Sequence, residues 1–186
     1  MFWIILIIAI VLILAFMSIY NNLIKLKHRV ENAWSQIDVQ LQRRFDLIPN
    51  LVETVKGYMG HESDVLTKVA ELRTAWANAS TVGEKAELDN QLSGTLKTIM
   101  SVTESYPELK ADQSFLSLQE ELTSTENKIS YSRQFYNDIV TIYNTKLEVI
   151  PSNIVAGIFS EKFKRAELFS VEEDAARKNV KVDFQN

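Results

Sequence analysis

The side chains that perform most enzymatic chemistry are scarce in this chain. Among 186 residues there are two histidines and no cysteine. Without cysteine there are no disulfides, thiolate metal sites, thiol nucleophiles or sulfur-linked lipids. A helical frame invites a carboxylate-bridged di-iron centre, which needs Glu-x-x-His on two helices and two further Glu. Neither His28 nor His61 has a Glu three residues before it, and His28-x-x-Glu31 runs in the wrong direction. Nucleophilic catalysis needs Ser or Thr held against a base and an orienting group. His61-Glu62 is the single candidate, and Glu62 fits better as a helix cap. The expectation is a non-enzymatic protein with no metal and no cofactor.

Two polar sets remain. Arg43, Arg44, Asp46, Asn50 and Glu53 recur at helical spacing, so neighbours three and four apart can pair along one surface. They read either as a solvated face or as a surface that binds a partner, with Glu126 and Arg133 able to answer it from another helix. The second set is a repeated dipeptide: Tyr20-Asn21, Tyr136-Asn137 and Tyr143-Asn144. A tyrosine buries a large ring while its hydroxyl seeks a partner, and asparagine can supply one. A packing device is the simpler reading; a binding end made of polar-aromatic residues is the other.

The elements that carry these residues begin with "MFWIILIIAIVLILAFMSIY", which has no charged side chain before Lys25. As a helix, residues 2–20 span about 28 Å, close to a hydrocarbon core of about 30 Å. The run lacks the basic start and small-residue cleavage site of a secretory signal, so an uncleaved anchor over 1–20 is expected. Lys25, Lys27 and Arg29 follow the span, which puts the N-terminus outside and the rest in the cytoplasm of a bacterial plasma membrane, single-pass. Trp3 and Tyr20 suit its two interfaces. A net charge of −4 gives no basic face for nucleic acid.

After the anchor, apolar residues step by threes and fours from Leu23 through Leu26, Val30, Trp34, Ile37, Leu41, Phe45, Ile48, Val52 and Val55, one face of a helix. The phase survives Pro49, which predicts a kink, with a break at "DLIPN" as the alternative. A second helix follows over Val65 to Trp76, a third over Leu88 to Ile99, and a fourth from Pro107 to Ile150. The expected fold is all-α: a transmembrane helix continuing into a cytoplasmic antiparallel four-helix bundle, two helices long and two short, over 21–150.

"IPSNIVAGIFSEKFKRAELF" then sets Ile150, Ile154, Ile158, Phe159 and Phe163 beside Lys162, Lys164 and Arg165. Residues 151–169 read as an amphipathic helix at the membrane interface or as a cap on the bundle. Residues 170–186 read as a flexible tail.

Long stretches also resemble the LemA family of bacterial membrane proteins: "AWSQIDVQLQRRFDLIPNLVETVKGYMGHE" (33–62), "YPELKA" (106–111), "TENKISYSRQFYNDIVTIYN" (125–144) and "VKVDF" (180–184). The resemblance implies a membrane-anchored helical bundle with its N-terminus outside. Relatives among magnetosome-membrane proteins imply membrane organisation, and the family supplies no catalytic residues. The expected function is a membrane-anchored scaffold that contacts the lipid bilayer, forms a homo-oligomer and organises membrane or recruits unidentified membrane or cytoplasmic proteins. A signalling adaptor that binds a partner through the bundle is the alternative.

Overall fold

A computed structural model describes residues 1–58 and 63–169. Within them lie six helices: α1 (Phe2–Lys56), α2 (Ser63–Asn78), α3 (Val82–Thr103), α4 (Pro107–Ala111), α5 (Gln113–Glu148) and α6 (Ser152–Ile158). No strand occurs among the described residues. His61, Glu62 and the tail 170–186 lie outside them.

α1 is continuous over 55 residues and runs through Pro49 without a stop. A proline removes one backbone donor from a helix, and the tertiary packing around it offsets that loss. Ile48, Leu51 and Val55 are each at most 1% exposed on either side of it. Gly57 ends the helix, with Lys56 in the last turn complementing the helix dipole.

The long return helix differs from expectation at its start. Pro107 opens a separate single turn, α4, and Asp112 then caps α5. The Asp112 carboxylate accepts the backbone N–H groups of Ser114 at 2.9 Å and Phe115 at 3.0 Å. Tyr58 donates its hydroxyl to the same carboxylate at 3.2 Å, tying the end of α1 to the start of α5. The extended backbone that Asp112 needs in order to cap is incompatible with a helix running through it. α3 begins on a capping box, Thr81 accepting from the Glu84 N–H while the Glu84 carboxylate accepts from the Thr81 N–H.

α1 and α5 run antiparallel, since residues 34 and 136, 44 and 126, and 58 and 112 meet in that order. The α2–α3 hairpin packs against their half farther from the apolar run. One core joins Ile37, Leu41 and Phe45 with Trp76, Leu92, Phe115, Ile129 and Val140. In the nearer half no third long helix covers the seam among the described residues. α6 packs there against Ile19, Tyr20, Leu23 and Ile24. The extended segment 164–169 then runs back along α5, its Phe169 2% exposed in the main core.

The first third of α1 stands apart from all of this. Its most apolar window has a mean hydropathy of 3.1 and no buried residue. Large apolar side chains are stable in that state only in a nonpolar solvent, and α1 is the helix long and apolar enough to cross a membrane.

Candidate functional site

At the centre of the α1–α3–α5 contact lies a buried group of charges. Asp89 is fully buried on the inner stripe of α3, between Ala86 and Leu92. Its Oδ1 accepts from Arg44 Nη1 of α1 at 2.7 Å, and its Oδ2 pairs with Arg133 of α5. Arg44, only 3% exposed, also reaches Glu126 of α5 at 2.7 Å. Two cations and two anions thus close on one another across three helices. Burial lowers the pKa of both guanidiniums, opposed at Arg44 by Glu126 and reinforced at Arg133, which falls to about 10, by the neighbouring Arg44 charge. Arg133 therefore remains cationic at neutral pH.

The surface expected from Arg43, Arg44, Asp46, Asn50 and Glu53 therefore divides. Arg44 turns into the core, because its place on α1 adjoins the buried Phe45 seam. Arg43, Asp46, Asn50 and Glu53 stay exposed. Arg43 pairs with Glu121 at 3.8 Å and Asp46 accepts from Gln42 at 2.9 Å. Glu126 meets the series, as the spacing suggested, whereas Arg133 meets Asp89 instead. Sequence reasoning missed Asp89, although it stands in step with Leu92, Leu96 and Ile99 on an otherwise apolar stripe.

The repeated Tyr-Asn pairs form a second structure. Asn144 donates through Nδ2 to the Ala166 carbonyl and accepts the Ala166 N–H through Oδ1, both at 2.9 Å. Asn137 does the same to Phe169, at 3.0 and 2.9 Å. Tyr136 donates its hydroxyl to the Glu167 carbonyl at 2.7 Å. Trp34 and the Arg133 guanidinium close over Phe169, with ring centroids 6.1 Å apart and the cation 4.6 Å from the ring. Segment 164–169 is thus a strap stapled to α5, and it occupies the space that two helices alone leave open. Tyr20 belongs to a different cluster, with Phe159 and Phe163, and Asn21 is exposed.

Burial, and then the nearby Glu167, push the Tyr136 phenol up to about 12 from 10.0. Burial, and then Glu31, raise Tyr143 in the same direction. A folded pKa above the unfolded one means that stability is full below the unfolded value and declines as pH rises through the folded one. Denaturant unfolding is expected to show this loss between pH 10 and about 12. A Tyr136→Phe chain should show a shallower decline. An unchanged slope would place the titration elsewhere.

Other candidates have ordinary surroundings. His28 is exposed and bonds Glu31 at 2.8 Å, and Lys27 lies 4.0 Å from the same carboxylate. Lys25, Arg29 and Trp3 are exposed on α1. Ile154 and Ile158 are exposed, Phe159 is half-buried and Phe163 is buried. Among the described residues no three His, Cys, Asp or Glu come together as metal ligands would.

An exposed apolar helix continuing into a packed helical body defines a membrane-associated helical protein. The LemA family model matches residues 33–184. The chain belongs to the LemA family. It is 27% identical to Protein LemA of Metamycoplasma hominis, over 73% of this chain and 63% of that protein. It is 25% identical to the magnetosome protein MamQ 2 of Paramagnetospirillum magneticum, over 81% of this chain and 64% of that one. The magnetosome protein MamQ of Magnetospirillum gryphiswaldense is 22% identical over the same shares. The chain thus spans less than two-thirds of the length of these relatives. Family and apolar helix together make it a bacterial membrane-associated protein.

Proposed function

We propose that the chain is a membrane-anchored, non-enzymatic scaffold whose helices act as one bundle on the cytoplasmic side and associate side by side with further copies. Lys25, Lys27 and Arg29 after the apolar run support that orientation. The polar groups best suited to chemistry, Arg44, Asp89, Glu126 and Arg133, already neutralise one another inside the body. Likeness to proteins named for the magnetosome supports a structural role.

The observation that carries the self-association is the bare face of the α1–α5 pair. Val39 is 61% exposed and Tyr131 74%, flanking a shallow trough of about 520 Å³. Phe135 and Ile142 extend the apolar strip along α5 at 42% and 48% exposure. Copies anchored in one membrane share an orientation, so a two-fold axis along the membrane normal brings this face against itself. Arg43, Asp46, Asn50 and Glu53 remain beside it to recruit other proteins.

The chain lacks cysteine, so a single Tyr131→Cys substitution reports the contact directly. Mild oxidation in native-like membranes should give a covalent dimer from Tyr131→Cys and little from Thr98→Cys on α3. A monomer by mass photometry in nanodiscs, with no Tyr131→Cys dimer, would sink self-association and favour a monomeric adaptor.

A further inference from the structure

The geometry points to α6 as a second membrane contact, lying in the interface of the same bilayer that α1 crosses, with Ile150, Ile154 and Ile158 immersed in the headgroup–acyl boundary. The inference concerns lipid and stands whether or not copies associate.

Two faces of the 150–159 segment behave oppositely. Val155 and Ala156 are 3% and 6% exposed against α1, as is the following Phe163 at 5%. Ile150, Ile154 and Ile158, four residues apart, are 80%, 60% and 63% exposed. An isoleucine row left bare while the other face is packed is stabilised by a nonpolar neighbour.

The depth of α6 identifies that neighbour. Phe159 touches Phe16, with ring centroids 6.4 Å apart, and Tyr20 at 5.0 Å. Phe163 packs on Tyr20 at 5.7 Å, and Lys162 Nζ lies 2.8 Å from the Tyr20 hydroxyl. Phe16 sits within the apolar run, about 13 Å along α1 from Lys25, its first charge. The Phe159 end of α6 is therefore held beneath the level where α1 becomes polar. In-plane amphipathic helices bury their apolar face about 5–10 Å into that boundary, and the Phe16–Phe159 contact sets α6 beside the end of the apolar run.

The charge pattern shows which force dominates. Lys162, Lys164 and Arg165 follow α6 at headgroup level, but Glu161 faces Lys164 at 3.4 Å and Glu148 faces Arg165 at 2.7 Å. Two of the three cations are thus answered within the chain. Apolar burial rather than attraction to anionic lipid holds the segment down. α1 alone would be free to tilt and rotate in the bilayer; a second contact beside it sets how the whole rod leaves the membrane.

Site-directed spin labelling tests this on the full chain in phosphatidylcholine vesicles, with and without phosphatidylglycerol. Single substitutions Ile154→Cys and Ile158→Cys are compared with Leu14→Cys within the span and Thr98→Cys on the body, all at exposed positions. Labels at 154 and 158 should show oxygen accessibility several-fold above that of a water-soluble nickel chelate, as at 14, in both lipid compositions. Chelate accessibility equal to that at 98 would overturn the proposal, because the isoleucines would face water. Exclusion of both reagents would overturn it too, because protein would cover the row. Dependence on phosphatidylglycerol would overturn the claim that apolar burial dominates.

Discussion

Replacing Asp89 with alanine is expected to destabilise the folded chain by about 3–5 kcal/mol, because it strands two guanidiniums in a low-dielectric interior. Asp89 has no exposed surface and faces Arg44 and Arg133 simultaneously. Arg44 would keep Glu126, whose side chain is 44% exposed, whereas Arg133 would keep no carboxylate among the described residues. The loss should sit toward the lower end if Arg133 swings out to water. Arg44→Met, Asp89→Leu and Arg133→Met combined should recover much of it, since apolar groups of similar volume often replace a buried ion set without loss. Denaturant unfolding of the single and triple variants decides the matter. An Asp89→Ala chain within about 0.5 kcal/mol of the parent, the range of ordinary surface substitutions, would show that the arginines are solvated in solution.

This cluster adds polar contacts to the apolar core that joins α3 to the α1–α5 pair. α3 meets the α1–α5 pair through Asp89 and through Lys85, which pairs with Asp38 and lies over the Trp34 ring at 5.8 Å. Loss of Asp89 should therefore loosen the α2–α3 hairpin before the α1–α5 seam.

Release of the strap is the second large effect. Asn137 and Asn144 are seven residues apart on a helix, a rise of about 10.5 Å. Ala166 and Phe169 are three apart in extended chain, about 10 Å. The two repeats match, and each asparagine can serve one backbone position with both its donor and its acceptor. Asn137→Ala or Asn144→Ala should each cost about 1–3 kcal/mol of local stability by stranding a backbone N–H and C=O. The fall should appear as faster amide exchange at Ala166 and Phe169 and be smaller for the α1–α5 core. Asn144→Asp discriminates further: a carboxylate can still accept the Ala166 N–H but cannot donate to its carbonyl, so intermediate protection is expected. Unchanged exchange in both alanine variants would mean that Phe169 packing alone holds the strap.

Much of this molecule was legible in one dimension. The apolar run before Lys25, the stripe through Leu23, Ile37, Phe45 and Val55, and the heptad pairing of Tyr136 with Tyr143 are patterns within single helices. A helix repeats every 3.6 residues, so its buried face is written into its own sequence. The LemA motifs were legible for the same reason, as contiguous text. Pro49 was readable only as an ambiguity, settled by the core residues packed on either side of it.

What tertiary structure alone decided were the partners of polar groups. Arg44 and Arg43 are adjacent in sequence, yet Arg44 enters the core because an aspartate 45 residues away waits there. Asn137 holds the backbone of a residue 32 positions later, in a segment with no periodicity to announce it. α6 serves two neighbours, one face on α1 and one bare, where its pattern had offered two alternatives. Apolar burial is non-directional and leaves a periodic mark along the chain. A hydrogen bond or ion pair is directional and is satisfied by one distant group, and nothing local records which group that is.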